Sequence, residues 1–89
     1  MPTVTFTANL QRHVLVPSRA VVAATVRDAL ERVFAEVPRA RTYVVDEHGA
    51  LRTHMNIYVD GEPIGDRRGL SDAVAAGAEI YVMQALSGG

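Results

Sequence analysis

The side chains that could do chemistry are few, and they form no recognisable catalytic or metal-binding pattern. The histidines are His13, His48 and His54, and no two of them have the His-x-x-x-His spacing of a metal site. Asp46 and Glu47 are adjacent, whereas a catalytic carboxylate pair must face each other across a pocket, so we interpret them as the tip of a turn. We therefore expect no catalytic residue, no metal ligand and no bound cofactor.

The chain contains no cysteine, which excludes disulfides, thiolate metal sites and a cysteine nucleophile. Small secreted domains usually carry disulfides, so this composition favours a cytoplasmic protein. All nine basic residues are arginines. The chain therefore has no side-chain amine that could accept an acyl group.

The most informative feature is the pair of glycines at the end of the sequence, Gly88 and Gly89. At an average glycine usage of about 7%, such a pair occurs there by chance roughly once in 200 chains. A frayed or truncated end is the alternative explanation. Glycine has no Cβ, so its backbone can enter a narrow site, and an extended 87–89 segment reaches about 10 Å. A carboxylate is a poor electrophile until it is activated, for example by adenylation, and we interpret residues 87–89 as a flexible tail that presents the Gly89 carboxylate to a partner enzyme.

The rest of the chain must position this tail, and its periodicity predicts strands and one main helix. Alternation of apolar and polar residues predicts strands at 3–8, 55–59 and 79–85, with a weaker one near 13–16. Residues 42–45 look extended, residues 46–49 and 60–61 read as turns, residues 62–69 as a loop, and residues 70–76 as a short helical turn.

The clearest helix is predicted at about 26–36. Thr25 is a suitable N-cap, and Asp28 follows three residues later. Apolar residues recur at helical spacing. Pro38 is expected to end the helix.

With 89 residues and 9.6 kDa, the chain has room for one domain and one modest core. A net charge of −1 gives no basic field for nucleic acid, and no apolar run approaches the ~20 residues that span a bilayer. We therefore expect neither nucleic acid nor a membrane as a partner. An amphipathic helix over a small sheet indicates an α+β domain at 1–86, and the order of elements resembles the β-grasp (ubiquitin-like) fold: a mixed four- to five-stranded sheet packed on one main helix, with the first and last strands parallel at its centre.

Three segments carry a more specific resemblance: TVRDAL at 25–30, HMNIYVDGE at 54–62 and AGAEIYVM at 76–83. Together with the Gly88-Gly89 end, they resemble the prokaryotic ubiquitin-like sulfur carriers of the ThiS/MoaD type. The segment at 56–59 and the Leu-Ser-Gly-Gly end look nearest to the carrier of a cysteine-synthesis route. Ser87 stands where many members have Ala or Val.

The resemblance implies a carrier that is itself no enzyme. An adenylating enzyme would use ATP to activate the Gly89 carboxylate, and a sulfur donor would convert it to a thiocarboxylate. A sulfur-accepting biosynthetic enzyme, such as a cysteine synthase, would then receive the sulfur. Two alternatives remain open: the small subunit of molybdopterin synthase, and a ubiquitin-like protein modifier or binding module.

The family also implies docking through an exposed sheet face. In this sequence Tyr58, Tyr81 and Met83 alternate with the expected core residues, so they should share that face with one another. Leu86 and Ser87, which lead into the two glycines, complete the predicted partner-binding set.

Overall fold

The computed structural model describes residues 1–85, which form one sheet with helices on one side of it. The elements are β1 (Thr3–Phe6), α1 (Ala8–Gln11), β2 (Arg19–Ala20), α2 (Val26–Glu36), α3 (Pro38–Val44), β3 (Met55–Val59), β4 (Glu62–Pro63) and β5 (Glu79–Gln84).

The strand order is β2-β1-β5-β3-β4. β1 and β5 run parallel, with Thr3 opposite Glu79 and Phe6 opposite Val82. All other neighbouring strands are antiparallel. The expected α+β, β-grasp arrangement is thereby confirmed, including the parallel first and last strands at the centre.

Helix α2 has the predicted bounds and the predicted cap. The Asp28 backbone N–H donates to the Thr25 hydroxyl at 3.1 Å. This bond satisfies one of the donors that the first turn leaves unpaired. The apolar stripe of the helix is buried and consists of Val26, Ala29, Leu30, Val33 and Phe34.

The helix covers one face of the sheet, to which alternate residues of the three longest strands contribute. On that face each of the following is at most 2% exposed: Val4, Phe6, Met55, Ile57, Ile80 and Val82. Val59 is partly buried and packs against this core. Because side chains alternate between faces along a strand, the residues between these lie on the opposite, open face.

The predicted strand near residues 13–16 is wrong. Val14 and Val16 are buried, so the apolar alternation is real. The segment is nevertheless held by the side chain of Gln11, which accepts from the Val16 N–H at 2.8 Å and donates to the Val16 carbonyl. The strand that pairs with β1 comes later, at Arg19–Ala20, and β1 ends at Phe6 because Ala8 begins α1.

Two further local predictions are wrong. Residues 42–45 are mostly helical, since Pro38 occupies the first turn of α3, where its missing N–H costs nothing. Residues 70–76 form no helical turn. Ala73 instead makes an antiparallel bridge with Thr25, and the Val74 N–H donates to the Ala24 carbonyl at 2.9 Å.

Both predicted turns are present. Asp60 and Gly61 have φ angles of 51° and 87°, the left-handed pair that a tight hairpin between β3 and β4 requires. In the turn at 46–49, the Asp46 carboxylate accepts from the N–H groups of His48 and Ala50. These two bonds lower the pKa of Asp46.

The loop after β4 is organised by two carboxylates. Asp72 accepts from the N–H groups of Gly65 and Asp66, both at 2.9 Å. Asp66 in turn accepts from the Ser71 hydroxyl at 2.6 Å and from the Gly69 N–H at 2.9 Å. The Ser71 hydroxyl is the main reason that the pKa of Asp66 falls from 3.8 to about 2. These hydrogen bonds fix the conformation of the loop after β4, which has no regular secondary structure.

We predict that Asp66 makes the stability of the fold depend on pH in the acid range. Because its pKa is lower in the folded state, the unfolded state binds more protons, so the contribution is present above pH ~4 and is lost as pH falls towards 2. Urea unfolding between pH 5 and pH ~2 should show a shallower decline for Asp66→Asn than for wild type, with Ser71→Ala between them. An identical slope for wild type and Asp66→Asn would contradict this assignment.

Candidate functional site

Strand β5, which leads to the predicted tail, is hydrogen-bonded to the chain on both of its sides. The Thr7 N–H donates to the Val82 carbonyl at 3.0 Å from the β1 side. On the β3 side, Met55 lies opposite Gln84, and the Ala85 N–H donates to the His54 carbonyl at 2.7 Å. The chain is therefore anchored in the sheet as far as Ala85, at the end from which the predicted tail must leave.

The tail itself lies outside the described residues. This applies to Gly88 and Gly89, the predicted adenylation and thiocarboxylate site, and to Leu86 and Ser87 of the predicted docking set. The division into a domain at 1–86 and a tail at 87–89 stays a prediction.

The structure brings the other predicted docking residues together on the open face of the sheet. Tyr58 lies opposite Tyr81 across the β3–β5 pair, and Met83 follows on the same face opposite Asn56. Tyr81 is 38% exposed, while Tyr58 and Met83 are partly buried. Two tyrosines and a methionine thus form a mixed apolar and polar surface on the last strand and its neighbour. This surface leads towards Ala85, the last anchored residue, which we call the root of the tail. Their role in docking stays a prediction.

Arg67 fastens the loop after β4 to the beginning of β3, and the sequence analysis missed it. Its guanidinium donates to the carbonyls of Arg52 and Met55 at 2.8 and 2.7 Å, and to the Asn56 side-chain oxygen at 3.3 Å. These acceptors lie on either side of His54, whose carbonyl receives the Ala85 N–H. Arg67 therefore supports the same turn that holds the root of the tail. Nothing in the sequence marks this arginine out from the other eight.

A cavity of about 170 Å³ opens beside that root. Its lining comes from four separate parts of the chain and comprises Leu10, His13, Tyr43, His54, Met55 and Gln84. The rings of His13 and Tyr43 stack with their centroids 6.1 Å apart. His13, His48 and His54 are all exposed, as the sequence suggests, but the fold places two of them at this one cavity.

Within residues 1–85, no three acidic, histidine or cysteine side chains are grouped so that they could hold a metal ion. In the same part of the chain, no helix is long and apolar enough to cross a membrane. The candidate site consists of the anchored strand β5, the open face of the sheet and the small cavity beside the end of β5.

A β-grasp domain whose central strand runs towards a Gly-Gly end defines the class of small ubiquitin-like carriers and modifiers. The model of the ThiS family matches residues 4–89, which is nearly the whole chain. The protein belongs to the ThiS family. No curated protein matches its sequence.

Solved structures share this fold over their full length. A chain of the Amycolatopsis orientalis BexX/CysO complex is 25% identical, with a TM-score of 0.82 and coverage of 100% of both chains. SAMP1 from Haloferax volcanii is 29% identical, with a TM-score of 0.75 and coverage of 99% of this chain and 98% of that one. CysO from Mycobacterium tuberculosis is 24% identical, with a TM-score of 0.79 and coverage of 97% and 100%; at that identity the likeness concerns the fold alone.

We predict that Arg67 is needed for the order of the tail root. Arg67→Met should lower the free energy of unfolding by about 1–3 kcal/mol, because three acceptors lose a charged donor. Arg67→Lys should recover little, since an ammonium cannot reproduce the planar fork. Urea unfolding measures the loss, and amide hydrogen exchange at Ala85 should accelerate selectively.

Arg68→Met is the matched control, because Arg68 is the exposed neighbour. If both variants lose the same stability, or if exchange at Ala85 is unchanged in Arg67→Met, Arg67 does not support the root.

Proposed function

We propose that this protein is a sulfur carrier whose Gly89 carboxylate is converted to a thiocarboxylate. The observation that carries the proposal is the match of the ThiS family model through to residue 89, which includes the Gly-Gly end. The likeness to a chain of the BexX/CysO complex supports it, since that complex joins a small β-grasp protein of this kind to another protein.

The chemistry requires two steps, and both act on the terminal carbonyl. A carboxylate oxygen of Gly89 attacks the α-phosphate of ATP in an adenylating enzyme, and pyrophosphate leaves. A sulfide equivalent then adds to the acyl carbon, AMP leaves with its electron pair, and the thiocarboxylate remains. A second enzyme accepts the sulfur, and we propose cysteine synthesis as the pathway because the end of the sequence looks nearest to the cysteine-route carrier.

The chain's own contribution is to position this group. The sheet anchors residues up to Ala85, so only four residues separate the fixed body from the reacting carbonyl. Two of the four are glycines, which have no side chain to obstruct a narrow active site. In this proposal the carrier presents a carbonyl four residues beyond Ala85, and the partner enzymes supply the catalytic groups.

A protein modifier is the second candidate, and the 29% identity to SAMP1, a small archaeal modifier protein, favours it. In that case the activated Gly89 carbonyl would be attacked by a lysine amine of a target protein. This chain has no lysine of its own. Any isopeptide bond through Gly89 must therefore join it to a different protein, and chains built on its own side chains are excluded.

We predict that Gly89 gains sulfur when the protein is incubated with ATP, a sulfide source and the adenylating enzyme of its source organism. Intact-mass spectrometry should show the increase for one oxygen replaced by one sulfur, and omission of ATP should abolish it. A variant without Gly88 and Gly89 should keep its circular dichroism spectrum but gain no mass.

An unchanged mass for the wild-type protein would overturn the carrier proposal. Conjugates that survive denaturation, found in cells that express the tagged wild type but not the truncated variant, would identify the modifier instead.

We also predict that the open face contributes to binding of the adenylating enzyme. Tyr81→Ala should weaken binding by about tenfold, because exposed aromatic residues often dominate such interfaces. It should cost the fold only about 0.2–1 kcal/mol as a lost cross-strand pair. Calorimetric titration against the enzyme measures the affinity.

Val22→Ala serves as the control for this experiment. Val22 is 64% exposed but lies beside α2 rather than on the open face of the sheet. Equal affinities for wild type and Tyr81→Ala would exclude the open face from the interface.

A further inference from the structure

Leu15 is the most exposed large apolar side chain in the part of the chain that the structure describes, with 76% of its surface open to solvent. It lies in the loop at 12–18, between α1 and β2. Single apolar residues are common on protein surfaces and by themselves indicate nothing. Leu15 differs from such residues because its neighbours Val14 and Val16 are both buried, which fixes the loop on either side of it.

The side chain of Gln11 holds this loop in place. Its amide nitrogen donates to the carbonyls of Phe6 and Val16, at 3.1 and 2.6 Å, and its amide oxygen accepts from the Val16 N–H at 2.8 Å. Val16 precedes Pro17, and this sequence further restricts the backbone angles of both residues. The exposure of Leu15 is therefore a property of an ordered loop.

The loop at 12–18 lies at the end of the sheet from which the predicted tail must leave. Strand β1 runs parallel to β5, so α1 and the loop that follow β1 lie near the end of β5. Leu10 and His13, which precede Leu15 in the chain, line the small cavity together with Gln84 of β5. Leu15 therefore belongs to a loop that flanks the root of the tail.

The length of the tail determines how near a partner must come to this loop. Four residues follow Ala85, and they reach at most about 14 Å when fully extended. An enzyme that encloses the Gly89 carbonyl in its active site must therefore approach the root of the tail closely. The loop at 12–18 then lies within reach of the surface around the mouth of that active site.

We infer that Leu15 docks into an apolar pocket of the adenylating enzyme, beside the mouth of its active site. This inference rests on the proposed function and adds a contact residue outside the open face of the sheet. Covering Leu15 removes its apolar surface from water, which favours the complex. A loop that is already ordered also loses little conformational entropy when a partner covers it. Leu15 thus strengthens the complex without taking part in the chemistry.

The test measures the dissociation constant of the carrier and its adenylating enzyme by calorimetric titration for a series of variants at Leu15. Leu15→Met should bind like wild type, because it keeps an apolar side chain of similar size. Leu15→Ala should weaken binding about tenfold, because it leaves the pocket unfilled. Leu15→Asn should weaken it at least as much, because it nearly keeps the shape of leucine but buries a polar amide.

Steady-state adenylation provides a second readout of the same variants. Because Leu15 is remote from the reacting carbonyl, Leu15→Ala and Leu15→Asn should raise the KM for the carrier and leave kcat unchanged. Val22→Asn is the matched control, since Val22 is also largely exposed but lies beside α2. Urea unfolding verifies that every variant is folded.

If wild type gains the thiocarboxylate but Leu15→Ala or Leu15→Asn binds the enzyme as tightly as wild type does, the inference is overturned and the proposed function stands. An equal loss of affinity in Val22→Asn would overturn it as well. A dimer of the free protein that Leu15→Asn dissociates would assign Leu15 to a contact between two copies and would also overturn it. If the enzyme does not modify wild type, the proposed function and this inference both fall.

Discussion

The pairing of β5 with β1 and β3 is the constraint on which the rest of the structure depends. It joins the first and last strands in parallel, so the two ends of the described chain stabilise each other. Such contacts are entropically costly to form, because bringing two distant strands together restricts the long segment between them. In return, the strand nearest the tail is hydrogen-bonded on both edges. The described chain is therefore held in place as far as Ala85.

The same sheet divides the molecule into a buried face and an open face. Helix α2 buries the alternate residues of β1, β3 and β5, and these elements supply half of the buried apolar core. The opposite face keeps Tyr58, Tyr81 and Met83. Because the core lies on the other side, side chains of the open face can change with little loss of packing.

The sequence predicts the long periodic elements of this fold well and its irregular segments poorly. Helix α2 and strand β3 have the predicted bounds, because their apolar spacing and the Thr25 cap are local signals. The predictions for residues 13–16, 42–45 and 70–76 are wrong, because other contacts determine the paths of these segments. The causes are, in that order, the Gln11 side chain, a proline in the first turn of a helix and a single β-bridge. The Gly-Gly end is visible in the sequence itself. The cavity cannot be predicted from the sequence, because Leu10 and Gln84 meet only after folding.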